Sequence, residues 1–125
     1  MSGISGWFFK SAVVYAIIGM SLGVHMASSH NHDQHVTHAH INLIGWVSFA
    51  LFGLYYDRFR EAAEGWLPRL HFWSAQTGFV MIITGIALIY AGTTEAEPVA
   101  AIGSLILLAS TVLFAVIVFR TRPAS

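Results

Sequence analysis

His30-Asn31-His32-Asp33-Gln34-His35-Val36-Thr37-His38-Ala39-His40 runs directly into Ile41-Asn42-Leu43-Ile44-Gly45-Trp46 and then into an apolar segment that ends at Tyr56. Five of the seven histidines of the chain lie in its first eleven positions. His38 and His40 therefore stand where a polar loop gives way to a segment of membrane-spanning character. An ionisable side chain at that depth is costly, so it is a functional candidate by default. A neutral imidazole is also among the commonest metal ligands.

Outward from this stretch, nearly charge-free windows cover Ser11–Ser29, Val36–Tyr56, Phe72–Thr94 and Pro98–Phe119. Each is long enough to cross a hydrocarbon core of about 30 Å as a helix. With 56% hydrophobic and 10% charged residues in a chain of 125, and a mean hydropathy of +0.67, the composition is far from that of a soluble domain. The expected fold is all-α: a single integral membrane four-helix bundle over residues 1–125, with helices at about 8–27, 37–56, 69–91 and 98–119. No room is left for a separate soluble catalytic module. A cleaved signal peptide is the rival reading of the first apolar run, but that run exceeds an ordinary signal core. The absence of cysteine excludes disulfides, thiolate ligation and thioether-attached haem.

The net charge is zero, but its distribution is one-sided. Lys10 precedes the first span, Arg58, Arg60 and Arg69 lie between the second and third, and Arg120 and Arg122 follow the fourth. The positive-inside rule then places both termini in the cytoplasm and the connections Ser28–Thr37 and Thr93–Glu97 outside, so that in a cell inner membrane the His-rich loop is periplasmic or extracellular. The partners expected are the lipid bilayer, further copies of the chain and an electron-transfer protein; no nucleic-acid partner is expected.

At 100° per residue, His38 and His40 point to nearly opposite sides of one helix and cannot chelate a single ion together. The His38 side continues through Asn42, Gly45, Phe49 and Phe52, the His40 side through Val47 and Leu51. A glycine such as Gly45, one or two turns from a ligand, lets a flat macrocycle lie against the backbone. His25, a turn from the outer end of the first helix, is level with the pair and is a third candidate ligand. His30, His32 and His35 form a His-rich tract with affinity for copper or zinc, though their spacing fixes no coordination geometry. His71 falls a membrane thickness away and is expected at the interface. Gly19-Met20-Ser21-Leu22-Gly23 has the small-xxx-small form that lets helices approach closely.

Thr37-His38-Ala39-His40 on an apolar helix bearing Gly53, followed by Arg69-Leu70-His71-Phe72 and then Ile102-Gly103-Ser104-Leu105, with His32-Asp33 just ahead of the pair, resembles the last four helices of haem-copper oxidase subunit I. The resemblance covers nearly the whole chain. It implies that His38 is the proximal ligand of a high-spin haem and His40 a ligand of a low-spin haem. The family's copper ligands, the tyrosine joined to one of them and the second low-spin ligand come from earlier helices without counterpart here. The resemblance therefore carries over haem ligation and leaves open whether the chain is an enzyme. His25, which has no counterpart in the family pattern, is the candidate for a missing ligand. The expected cofactor is haem b, with copper as a further possibility, and the expected activity is electron transfer or binding of oxygen or nitric oxide; the alternatives are a periplasm-facing copper- or zinc-binding membrane protein using His25, His30, His32, His35, His38 and His40, and a non-catalytic assembly subunit. Because subunit I of the family consists of three four-helix arcs, the resemblance also implies a homotrimer of this chain, with sites completed between protomers.

Overall fold

The computed structural model describes residues 1–122. Among them the chain is all helical: α1 is Gly3–Ser29, α2 is His35–Arg58, α3 is Trp66–Tyr90 and α4 is Glu97–Arg120. All four are long and apolar enough to cross a membrane. Short connections, including 3-10 turns at Arg60–Ala63 and Thr94–Ala96, make successive helices antiparallel. The His-rich turn and the 91–96 turn thus share one end of the bundle, and the 59–65 turn shares the other with the start of α1 and the end of α4.

The helix limits depart from the hydropathy windows for physical reasons. α1 begins at Gly3 because Ile4 and Phe8 are buried against the other helices, so tertiary packing carries the helix past Lys10. α3 begins at Trp66 and takes in Pro68. In a first turn the proline's missing N–H costs nothing, because that donor has no intrahelical acceptor in any case.

α2 is not uniform. Its first turns, His35–His40, are α; Ile41–Ser48 is a π-helix; and Phe49–Arg58 is α again. The Phe49 N–H donates to Ile44 O, five residues back, and Ser48 Oγ donates to Leu43 O at 2.9 Å, also across five residues. A π-turn holds more residues than the 3.6 of an α-turn. The buried positions Thr37, Ile41, Gly45, Phe49 and Gly53 accordingly recur every four residues. In an uninterrupted α-helix a strict four-residue repeat drifts round the axis; the π-segment holds it on one face.

α1 packs along α2, and α3 along α4. The second pair is the closer, because a Cβ on Gly78 would stand 2.8 Å from Leu107 N and one on Gly103 would stand 2.8 Å from Ile82 N. Neither position has room for a side chain. The two pairs meet over an aromatic core toward the basic end. Phe8, fully buried, presents edge contacts to Phe49, Phe52 and Phe72 with centroids 5.6, 5.4 and 4.9 Å away. The positive ring edge against a negative ring face adds about 0.5–1.5 kcal/mol per pair beyond area burial. Where lipid is as apolar as leucine, such specific contacts carry much of the cohesion between helices.

Candidate histidine site and the buried Tyr56–His71 pair

His38 lies in the groove that α1 presents to α2. Its Nδ1–H donates to Gly19 O at 2.8 Å, and the side chain of Asn42, one turn on, donates from Nδ2 to His38 O at 3.1 Å. Both side chains occupy space left by glycine. A Cβ on Gly23 would come within 2.8 Å of His38 Cε1, and one on Gly19 within 2.6 Å of Asn42 Oδ1. The small-xxx-small motif of α1 is therefore a seat for His38 and Asn42.

His40 is half-buried and donates from Nδ1 to Val36 O of its own helix at 2.8 Å. Leu43, Val47 and Leu51, on its side of α2, are 63%, 43% and 59% exposed. His38 thus packs against a neighbouring helix while the His40 side faces outward. A carbonyl oxygen only accepts, so in both neutral rings Nδ1 carries the proton and Nε2 the lone pair. That is the tautomer in which metal-ligating histidines are held, with the far nitrogen anchored to a carbonyl.

The other histidines of this end are not gathered round the pair. His25 is exposed on α1, two residues past Gly23 and hence on the side away from the groove. His30, at φ 55°, caps α1 in the left-handed region, a conformation that histidine enters more readily than most residues. His32 and His35 are exposed, His35 donating from Nδ1 to His32 O at 2.9 Å and lying 6.1 Å from the Tyr90 ring. Among the described residues no three histidine, aspartate or glutamate side chains converge on a point where an ion could sit. Gly45 also has a role other than the one its position suggests. A Cβ there would meet Phe79 Cζ at 2.7 Å and Tyr15 Cβ at 2.9 Å, so α1 and α3 already fill the space a macrocycle would need. The His38 ring itself lies against Gly23, with Asn42 Nδ2 3.4 Å from its Nε2.

At the opposite end, His71 departs furthest from its expected place. It is not an interface residue but fully buried. The Tyr56 hydroxyl and its Nδ1 share a hydrogen bond of 2.8 Å. Phe114 stacks on the ring at 4.9 Å and 26°, and Phe52 meets it edge-on at 4.6 Å. His71 Nε2 is the one buried side-chain nitrogen or oxygen among the described residues without a hydrogen-bond partner. The carbonyl of His71 accepts from Ser74 Oγ and Ser110 Oγ, each at 3.1 Å, which ties α4 to α3 at this level. The available sequence signal was the short antiparallel connection, which brings the end of α2 level with the start of α3; that Tyr56 and His71 turn toward each other depends on helix rotation. A second polar chain, Tyr15 O–H to Gln76 Oε1 at 2.5 Å and Gln76 Nε2 to Ser11 Oγ at 3.0 Å, joins α1 to α3 nearer mid-membrane.

Comparison of the chain with protein-family models, with curated proteins and with solved structures yields no match.

Proposed function

We propose that this chain is a haem b-binding membrane protein of the electron-transfer or small-gas-binding kind, in which His38 and His40 would each hold a haem iron through Nε2 at separate sites. The observation that carries the reading is the anchoring of both rings: Nδ1–H of His38 on Gly19 O and Nδ1–H of His40 on Val36 O, each at 2.8 Å. Each ring is thereby held in the ligating tautomer at the polar end of an apolar helix, which is what axial ligation asks of the protein. The haem when bound supplies the redox and gas-binding chemistry; a second axial imidazole favours electron transfer, and a single one leaves a coordination position for oxygen or nitric oxide.

Tyr15 and Phe79 close the space over Gly45, which in this reading favours binding surfaces between protomers, covered in a ring of three copies. His25, exposed on the other side of α1, is the residue of a neighbouring copy best placed to complete such a site. The basic end faces the cytoplasm in this reading, and the histidine end the outer side.

The test is the absorption spectrum of the full chain, purified in mild detergent from haem-replete cells and analysed by mass. The expected result is a Soret band and the α band of a reduced b haem in a species of three chains, with the bands lost on His38→Ala or His40→Ala and helix content unchanged. A folded, colourless preparation, or one that carries stoichiometric copper or zinc in place of haem, would overturn it. A coloured monomer would refute the shared site alone.

A further inference from the structure

A second site stands at the other end of the molecule, independent of His38 and His40. Where the first turn of α3 meets the last turn of α4, a cleft of about 210 Å³ opens to the surface. Its floor is apolar, with Leu67, Pro68 and Ile117. Its rim is charged on two sides: Glu61 and Glu64 come from the 59–65 connection, Arg120 and Arg122 from the end of α4. No ion pair within 4.0 Å joins the carboxylates to the guanidiniums among the described residues. Opposite charges thus face one opening and leave one another unneutralised.

The level of the cleft along the bundle is that of a membrane interface. It lies at the ends of two of the apolar helices, beside Trp66, which is 70% exposed; exposed tryptophan is typical of the headgroup level. Beyond the cleft the surface of α3 stays apolar toward mid-membrane, since Leu70, a turn beyond Leu67, is 48% exposed.

We infer that this cleft binds the headgroup of a zwitterionic aminophospholipid, a phosphatidylethanolamine, with the phosphate on Arg120 and Arg122, the ammonium on Glu61 and Glu64, and an acyl chain leaving past Leu67 along Leu70. A guanidinium offers a fork of donors matched to phosphate oxygens. The carboxylates select within the lipid class: they pair with an ammonium and repel an anionic headgroup, which the two arginines alone would favour. The rim carries two positive and two negative groups, the same balance as the zwitterion. Such contacts are partly exposed, so the selectivity falls as salt rises.

Native mass spectrometry of the full chain, released from bilayers with equal amounts of phosphatidylethanolamine and phosphatidylglycerol, tests this. The expected result is retention of phosphatidylethanolamine over phosphatidylglycerol by about fivefold, the scale of one favourable interfacial charge contact. Replacing Arg120→Gln with Arg122→Gln should abolish the retention, whereas Glu61→Gln with Glu64→Gln should bring the ratio to one or invert it. All four side chains are exposed, and melting temperature and helix content check that each variant is folded. Equal retention of the two lipids by the unmodified chain, or a ratio unmoved in both variants, would overturn the assignment. Displacement of the lipid by an equal concentration of glycerophosphoethanolamine would overturn the membrane-lipid source in favour of a soluble phosphoester. The readout is lipid mass, so it stands or falls apart from haem.

Discussion

Tyr56 and His71 show how much one hydrogen bond can matter where no water is at hand. Tyr56 is 1% exposed and His71 fully buried, and the 2.8 Å bond between them satisfies one imidazole nitrogen while Nε2 stays unpaired. Tyr56→Phe would leave both nitrogens of a buried ring without partners. The expected loss is about 1–2 kcal/mol, the range for a buried polar group deprived of its partner in a membrane protein. Replacing both residues with Phe removes the polar groups together and should recover most of it, since the surroundings are Phe8, Phe52 and Phe114. Thermal unfolding of the two variants in detergent checks the ordering; a double variant less stable than Tyr56→Phe would mean that the ring shape of His71, and not its bond, is what the core requires.

At the scale of the element, α2 joins two packing environments through its π-segment. The aromatic half from Phe49 onward is held by the core, while the histidine half is held by the groove of α1. Ile41–Ser48 sets the rotation between them. Deleting the exposed Leu43 should let α-type bonding run through, turning the His38 half by about 100° and moving it about 1.5 Å along the axis. His38 and Asn42 would then leave the space over Gly19 and Gly23. The expected outcome is loss of the haem absorption bands with the helical fold retained, measured by absorption and circular dichroism on one sample. Bands that survive the deletion would show that the rotation of α2 is immaterial to ligation. The same segment explains why a periodicity of 3.6 described the faces of α2 only in outline. The four-residue repeat Thr37, Ile41, Gly45, Phe49, Gly53 was in the sequence, but a repeat of four is legible as a π-turn only once those residues are known to be buried together.

For the whole molecule, orientation can be tested because the chain has no cysteine. Single substitutions Asn31→Cys and Glu64→Cys place a thiol in the exposed turns at the two ends of the bundle. In intact cells an impermeant maleimide should label the first and spare the second, with both labelled after lysis. The reverse pattern would put the histidine end in the cytoplasm and the Glu61–Arg120 cleft in the outer leaflet. The charge asymmetry behind this expectation is a property of the sequence, and it coincides with the division of the helix ends in the folded bundle.

Four apolar spans and the basic character of one end were determined by the sequence alone, because hydropathy and charge are local sums that need no knowledge of neighbours. The divergence of His38 from His40 was likewise legible, since two residues on any α-turn lie about 200° apart, and the first α-turns of α2 precede the π-segment. Only the tertiary structure decided that Gly19 and Gly23 seat His38, that Gly45 is covered by Tyr15 and Phe79, that His25 turns away from the groove, and that His71 is buried on Tyr56. Each of these depends on how far one helix is rotated and how closely it approaches another. That is set by which pairs of helix faces can interdigitate without a clash, a property of two segments distant in sequence and of neither one alone.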